Sequence, residues 1–210
     1  MKHFKFIVHL AVAAFVSSAS AGSYEDFFRA VNVDDARTVG GLLARGFDPN
    51  TPDEQGQVAL YLALRVGAPK VMAQLLAHPE VKPDAENAAG ETPLMMAALR
   101  GEVASMKSLI EKGAKVNRSG WTPLHYAASG PSLAALELLL ERGADVEAPS
   151  PNGTTAVMMA ARYGSDDATF ALVKKGASLT KKNDKGFNAA DFARLGGREK
   201  LAAALESGAR

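Results

Sequence analysis

Cysteine is absent from this sequence of 210 residues, and tryptophan occurs once. Without cysteine the chain has no disulfide, no thiolate metal site and no cysteine that could carry a lipid. Because 47% of the residues are hydrophobic, a core can form without such a cross-link. Stability must therefore come from packing alone, and disorder is not expected.

An excess of charge of either sign is also missing. Lysine and arginine number 24 against 23 acidic residues, which gives a net charge of +1. Removal of an N-terminal segment that carries Lys2 and Lys5 would leave 22 basic and 23 acidic residues, or −1. This balance argues against nucleic acid or an anionic membrane as the main partner.

Motifs of catalysis are not found. The sequence has no Gly-x-Ser-x-Gly, no phosphate-binding glycine loop with Lys-Ser or Lys-Thr, and no His-Glu-x-x-His. Beyond the first nine residues only His78 and His125 remain, and neither has a second histidine or a cysteine for a zinc site. We therefore expect no enzymatic activity, no metal and no cofactor.

The first residues have the three parts of a secretory signal peptide. Lys2 and Lys5 precede the apolar stretch 6–16, and small residues follow up to Ala21. A membrane anchor is the alternative, but eleven residues interrupted by His9 are far fewer than the roughly 20 that span a bilayer. We expect cleavage after Ala21, no stable membrane insertion afterwards, and a periplasmic location, with secretion as the alternative.

A repeat is the main positive signal. A glycine followed by a turn-like segment and an apolar helix recurs at spacings of 34, 30, 33 and 33 residues. A second pattern, two apolar residues followed by x-x-Gly, ends at Gly46, Gly113, Gly143 and Gly176. A glycine there can adopt the left-handed conformation that ends a helix. The glycines of the first pattern are Gly56, Gly90, Gly120, Gly153 and Gly186.

The helix that follows each turn has a recognisable start. In Thr122-Pro123-Leu124-His125 the threonine hydroxyl can cap free N–H groups, and proline suits the first helical position. This segment, continued by Tyr126 and two alanines, closely resembles the ankyrin repeat. The resemblance spans essentially the whole mature chain and implies an all-α ankyrin-repeat solenoid of stacked helix-turn-helix units with short hairpin loops.

The domain organisation follows from this register. After the signal peptide at 1–21, a single ankyrin-repeat domain occupies 22–210, with helices expected near 24–31 and 34–44 in its first unit. Terminal units should cover the apolar faces of the last full repeats. The boundaries are 23–52 for the N-terminal unit, 53–86, 87–118, 119–150 and 151–183 for the repeats, and 184–210 for the C-terminal capping unit.

Two departures from the pattern matter. Pro79 stands where other repeats have Gly-Ala, so it should stop the helix before it. The connection 115–120 is about three residues shorter than the others, so it cannot form a full hairpin. We predict a notch there between the third and fourth repeats, with Trp121 at its margin.

Several polar and sulfur-containing residues have structural explanations. The resemblance implies that His125 forms local hydrogen bonds that tie adjacent turns together. The pairs Asp34-Asp35 and Asp166-Asp167 fall at expected helix starts, where negative charge is favourable. The pairs Met95-Met96 and Met158-Met159 occupy matching places in two repeats and are predicted to fill the core.

The resemblance also implies where a partner binds. Ankyrin proteins usually contact partners through the hairpins and the exposed positions of their first helices, and Trp, Tyr and Arg are the types enriched at interface hot spots. Trp121 and Phe187 have a second interpretation, in which they fold over their own repeats. The predicted partner-binding residues are Arg65, Glu91, Leu99, Arg100, Trp121, Arg162, Tyr163 and Phe187.

These features predict a non-enzymatic protein–protein interaction module, expected to be a monomer, that binds a partner protein through its concave face as adaptor, stabiliser or inhibitor. The alternative is an accessory factor or immunity-type inhibitor of a periplasmic enzyme. A purely structural role in the envelope is a third possibility, since a fold does not specify a function.

Overall fold

The computed structural model describes residues 18–208, with side chains from Gly22 onward. Residues 1–17 of the expected signal peptide lie outside the described residues, and the expected cut after Ala21 falls near the beginning of the first helix. No helix within residues 18–208 is long and apolar enough to cross a membrane. Contacts between residues group the chain into two compact units that divide after Val81.

The first unit contains two helix pairs. Asp35 ends the link between the first two helices and caps the second, because its carboxylate accepts a hydrogen bond from the Thr38 N–H at 3.1 Å. Asp34 accepts another from the Val71 N–H at 2.9 Å, so both acids stand at helix starts as predicted. The last helix stops before Pro79, also as predicted. The helices are α1 (Ser18–Asn32), α2 (Ala36–Ala44), α3 (Ala59–Val66) and α4 (Pro69–Ala77).

The second unit contains four helix pairs. The first helices of the four pairs contact one another in chain order, and the second helices of the first three pairs do the same beside them. The final helix packs against the first helix of its own pair. The bounds are α5 (Pro93–Arg100), α6 (Val103–Glu111), α7 (Pro123–Ser129), α8 (Leu133–Glu141), α9 (Ala156–Tyr163), α10 (Asp166–Lys174), α11 (Ala189–Leu195) and α12 (Glu199–Glu206).

Threonine begins the first helices of three of these pairs. Thr92 accepts a hydrogen bond from the Met95 N–H at 3.3 Å, and the Met95 thioether accepts one from the Thr92 N–H at 3.4 Å. The Met158 thioether accepts in the same way from the Thr155 N–H at 3.5 Å. Met95 and Met158 are fully buried, as predicted, but Met96 and Met159, which were expected to fill the core with them, are only half-buried. Met95 and Met158 take the acceptor role that His125 has in the intervening repeat.

Small residues set the distance between the stacked first helices. The paired alanines of α5, α7 and α9 are buried. A glycine after α7, α9 and α11 lies against the helix of the preceding pair. A β-carbon added to Gly130 would be 2.6 Å from the Leu99 carbonyl oxygen, and one added to Gly164 would be 2.2 Å from that of Ala128. Gly196 has the same relation to Arg162, at 2.6 Å.

The series of hairpin turns is broken once. Turns closed by backbone hydrogen bonds end at Gly56, Gly90, Gly153 and Gly186, whereas residues 119–121 form only a bend. Arg118, just before this bend, reaches the Gly90 carbonyl oxygen at 2.6 Å and Glu86 at 2.8 Å. An open cavity of about 420 Å³ borders the bend. The predicted notch is therefore present, but the side chain of Trp121 lines two other cavities instead of this one.

Candidate functional site

Two cavities of the second unit share Trp121 and Met159 in their walls. The first, about 270 Å³, is also lined by Leu99, His125, Tyr126 and Ser129. The second has a volume of about 370 Å³. We call the two together the aromatic groove. The remaining residues that line the second cavity are Asn152, Thr154, Arg162, Tyr163, Asn183, Lys185, Phe187, Phe192 and Leu195.

Most of these residues occupy three positions of the repeat. Trp121, Thr154 and Phe187 are separated by 33 residues and come just after the turn glycines. The other two positions lie in the first helices. The first of them is occupied by Tyr126, Met159 and Phe192, and the second by Leu99, Ser129, Arg162 and Leu195. None of the residues that line the groove comes from the second helices α6, α8, α10 or α12.

His125 forms the buried floor beneath Trp121. The two rings meet edge to face with centroids 5.2 Å apart. The His125 Nδ1 is 3.2 Å from the Thr122 amide nitrogen, from which it accepts a hydrogen bond, and its Nε2 lies 2.9 Å from the Thr154 carbonyl oxygen. Burial lowers the pKa of His125, while the hydrogen bond to Thr154 acts in the opposite direction. A neutral ring that donates from Nε2 satisfies all these contacts, and it ties two repeats together as the resemblance implies.

The rim of the groove carries exposed apolar side chains. Tyr163, Leu195 and Phe187 are 55%, 50% and 38% exposed and rank among the most exposed large hydrophobic residues of the described chain. Their grouping is informative because such patches on soluble proteins often mark interaction sites. The Arg162 guanidinium carbon lies 4.9 Å from the centre of the Tyr163 ring, a distance typical of a cation–π contact.

Five of the eight predicted partner-binding residues line the groove: Leu99, Trp121, Arg162, Tyr163 and Phe187. Trp121 is half-buried, so it is neither folded away nor fully exposed, while Phe187 stays at the rim.

The other three predicted residues have different surroundings. Glu91 accepts hydrogen bonds from Tyr126 and from the Asn87 amide, both at 2.8 Å, and so supports the wall of the groove from outside. Arg100 pairs with Glu102 at 2.7 Å. Arg65 is exposed on α3 of the first unit.

Sequence reasoning missed several lining residues. The sequence pattern predicts Met159 to lie in the core with Met158, but its side chain is half-buried and contributes to both cavities. Leu195 and Phe192 belong to the closing unit, where the predicted partner-binding set contains only Phe187. The 33-residue spacing from Arg162 to Leu195 and from Met159 to Phe192 was the available signal.

Residues 18–208 bring together no group of three or more His, Cys, Asp or Glu side chains that could hold a metal ion. Their stacked helix pairs, glycine turns and threonine caps define a helix-turn-helix repeat protein. A sequence profile of the family described as "Ankyrin repeats (3 copies)" matches residues 27–119, 72–150 and 117–183. The chain therefore belongs to the ankyrin-repeat family.

Two ankyrin-repeat proteins from other organisms are similar in sequence to parts of this chain. The BTB/POZ domain and ankyrin repeat-containing protein NPR3 of Oryza sativa is 40% identical over 88 residues, which are 42% of this chain and 14% of that protein. The ankyrin repeat and SAM domain-containing protein 6 of Rattus norvegicus is 29% identical over 147 residues, 70% of this chain and 13% of that protein. The chain thus spans only a small part of these relatives.

One solved structure matches over most of both chains. A chain in the complex of the predatory endopeptidase Bd0816 from Bdellovibrio bacteriovorus with the immunity protein Bd3460 superimposes with a TM-score of 0.73 and 29% identity. The match covers 87% of this chain and 97% of that chain. The likeness therefore extends well beyond a single repeat.

Proposed function

We propose that this protein is a non-enzymatic binding module of the periplasm that holds a partner protein through the aromatic groove, as adaptor, stabiliser or inhibitor. The observation that carries the proposal is the grouping of Trp121, Arg162, Tyr163 and Phe187 around one groove. Tryptophan, tyrosine and arginine are the residue types that dominate interface energies.

The position of the groove supports a protein partner. Its walls come from the hairpin turns and the first helices, the surfaces through which ankyrin-repeat proteins usually bind. The groove is open, and its rim carries an exposed apolar patch formed by Tyr163, Phe187 and Leu195. A partner that covered this patch would remove apolar area from water, which is the main favourable contribution to most protein association.

The experiment is a capture with matched variants. Residues 22–210 are immobilised, exposed to native periplasmic extract, and compared with Trp121→Ala/Tyr163→Ala and with Phe170→Ala, which changes a half-buried aromatic residue on α10 outside the groove. We expect a protein retained by the wild type and by Phe170→Ala but lost from the double variant. Circular dichroism must show that all three chains are folded.

Identical captures by all three chains would contradict the assignment of the groove. Empty captures together with high protein abundance in the envelope would favour the purely structural role. The periplasmic location has its own check, which is fractionation of cells and the N-terminal sequence of the exported protein. A mature protein that begins at Gly22 is the expected result.

A second candidate, inhibition of a periplasmic enzyme, is favoured by the similar chain in a complex of an endopeptidase with an immunity protein. For this role we expect endopeptidase activity in the periplasmic extract to fall as purified protein is added. The Trp121→Ala/Tyr163→Ala variant should lose most of that inhibition. An unchanged activity over the full titration would leave the adaptor and stabiliser roles and remove the inhibitor.

A further inference from the structure

The charges in the second cavity of the aromatic groove are all of one sign. Arg162 and Lys185 line it, and none of its lining residues is acidic. Among the described residues neither cationic head group forms an ion pair or a hydrogen bond. Asp191, the acidic residue on α11, pairs instead with Arg194 at 3.6 Å and accepts a hydrogen bond from the Asn188 N–H. The two cations therefore lack an internal counter-charge.

The uncharged polar residues of this cavity also present donors. The side-chain Oδ1 of Asn183 accepts from the backbone N–H groups of Lys185 and Phe187, both at 3.1 Å. The side-chain Oδ1 of Asn152 accepts from the Ser150 hydroxyl at 2.7 Å and from the Thr154 N–H at 3.3 Å. The acceptors of both amides are thus used internally, and the Asn152 NH₂ group stays available as a donor.

The hydrogen-bond donors and cationic groups of this cavity, which lie beside aromatic rings, indicate which kind of ligand it can bind. A carboxylate can accept hydrogen bonds from an arginine, a lysine and an amide, and such charge-assisted bonds are about twice as strong as neutral ones. The rim carries the exposed apolar side chains Tyr163, Phe187 and Leu195, which favour an apolar side chain next to that carboxylate. We propose that the groove binds an acidic segment of the partner protein in which a carboxylate neighbours an aromatic or aliphatic side chain. This inference rests on the proposed function and specifies its partner.

Trp121 offers a direct measurement because it is the only tryptophan of the chain and lines both cavities. The probes are the blocked pentapeptide acetyl-Leu-Glu-Phe-Asp-Leu-amide, its counterpart with Gln and Asn at the acidic positions, and a third with Lys at both. Each is titrated against residues 22–210 while tryptophan emission is recorded at low and at high salt. The acidic peptide should bind about tenfold more tightly than the amide peptide at low salt.

The variants separate the groove from the overall charge. Arg162→Gln/Lys185→Gln should remove the preference, so that the acidic and the amide peptide bind this variant with equal affinity. The control Arg142→Gln/Lys175→Gln removes the same charge at exposed positions outside the groove and should bind like the wild type. High salt should shrink the preference because the Debye length falls to about 3 Å at 1 M ionic strength, so that even neighbouring exposed charges are screened.

Equal affinities for the acidic and amide peptides, a preference for the lysine peptide, or no emission change with any peptide would overturn the inference. The proposed function fails separately, when Trp121→Ala/Tyr163→Ala captures the same proteins as the wild type. A partner lost from that variant but retained by Arg162→Gln/Lys185→Gln would leave a binding groove whose occupant is not acidic.

Discussion

The imidazole Nε2 of His125 lies 2.9 Å from the carbonyl oxygen of Thr154, so one side chain links two successive repeats beneath the groove. The burial of this imidazole makes stability depend on pH. Burial lowers the pKa of His125 below its ordinary value of 6.5, so the unfolded chain binds a proton more readily than the folded one. The free energy of unfolding should therefore be highest above that value and fall as the pH drops below it.

His125→Met tests this dependence. Met95 and Met158 already supply a thioether acceptor at the equivalent position, so the substitution is compatible with the repeat. Urea unfolding at pH 5 and pH 7.5 should show a smaller difference for the variant than for the wild type. An unaltered difference would mean that other groups produce the pH dependence. Loss of the bond to Thr154 should also lower stability at the higher pH.

A second prediction concerns two threonines at equivalent helix starts. The Thr122 hydroxyl lies 2.9 Å from the His125 Nδ1, whereas the Thr155 hydroxyl is buried without a hydrogen-bond partner among the described residues. Thr122→Val should lower the free energy of unfolding by about 1 kcal/mol, and Thr155→Val should leave it unchanged or raise it. Urea unfolding of both variants measures the contrast. Equal losses would show that the Thr155 hydroxyl has a partner after all.

The third prediction concerns Arg198, which fastens α12 to the end of α9. Its Nη1 donates to the carbonyl oxygens of Ala160, Ala161 and Gly164 at 2.8, 2.9 and 2.9 Å, and its Nη2 bonds to Asp166. Arg198→Ala should reduce the free energy of unfolding by about 2 kcal/mol, because helix-end carbonyls lose charged donors. Arg198→Lys should recover only part of the loss, since an ammonium group lacks the planar fork.

Arg194→Ala is the matched control for this change. Arg194 pairs with Glu206 at 2.6 Å and, at longer distances, with Asp191 and Glu199, but its side chain is 39% exposed. Exposed ion pairs contribute little, so its removal should have a much smaller effect. Amide hydrogen exchange should locate the loss in Arg198→Ala at the end of α9 and in α12. A uniform loss across the second unit would contradict this local role.

Gly164 is the subject of the fourth prediction. Its backbone is one that alanine can adopt, yet a β-carbon there would meet the Ala128 carbonyl oxygen at 2.2 Å. Gly164→Ala should therefore destabilise the protein by about 3 kcal/mol or more, since close-packed backbone cannot move aside. Gly41→Ala on α2, with its nearest atom at 3.8 Å, should be neutral or stabilising. Thermal unfolding distinguishes the two, and similar melting temperatures would contradict the steric argument.

Much of the fold could be predicted from local patterns. Turn glycines and Thr-Pro pairs act within one repeat, so the helix starts at Thr92 and Thr122 follow from the sequence. The short connection before Trp121 likewise follows from counting residues. The number of residues does not predict which contacts replace the missing hairpin turn. Arg118 reaches the preceding turn only because the two repeats are stacked.

The candidate site was predictable in part for the same reason. Arg162, Tyr163 and Phe187 were found because exposed aromatic and basic residues at family contact positions stand out. Met159 was missed because an apolar residue in a first helix has the same pattern whether it faces the core or the groove. Only the packed structure separates Met158, which is fully buried, from its half-buried neighbour.

The glycines that meet the carbonyl oxygens of the preceding repeat also bear on how such a chain can change its length in evolution. Gly130, Gly164 and Gly196 form the same junction three times in succession. A tandem duplication of one unit would carry a glycine to the new boundary and leave a matching carbonyl oxygen exposed to it. Whole repeats can therefore be gained or lost at these junctions without inventing a new core, while the insertion of part of a repeat would misplace every contact that follows.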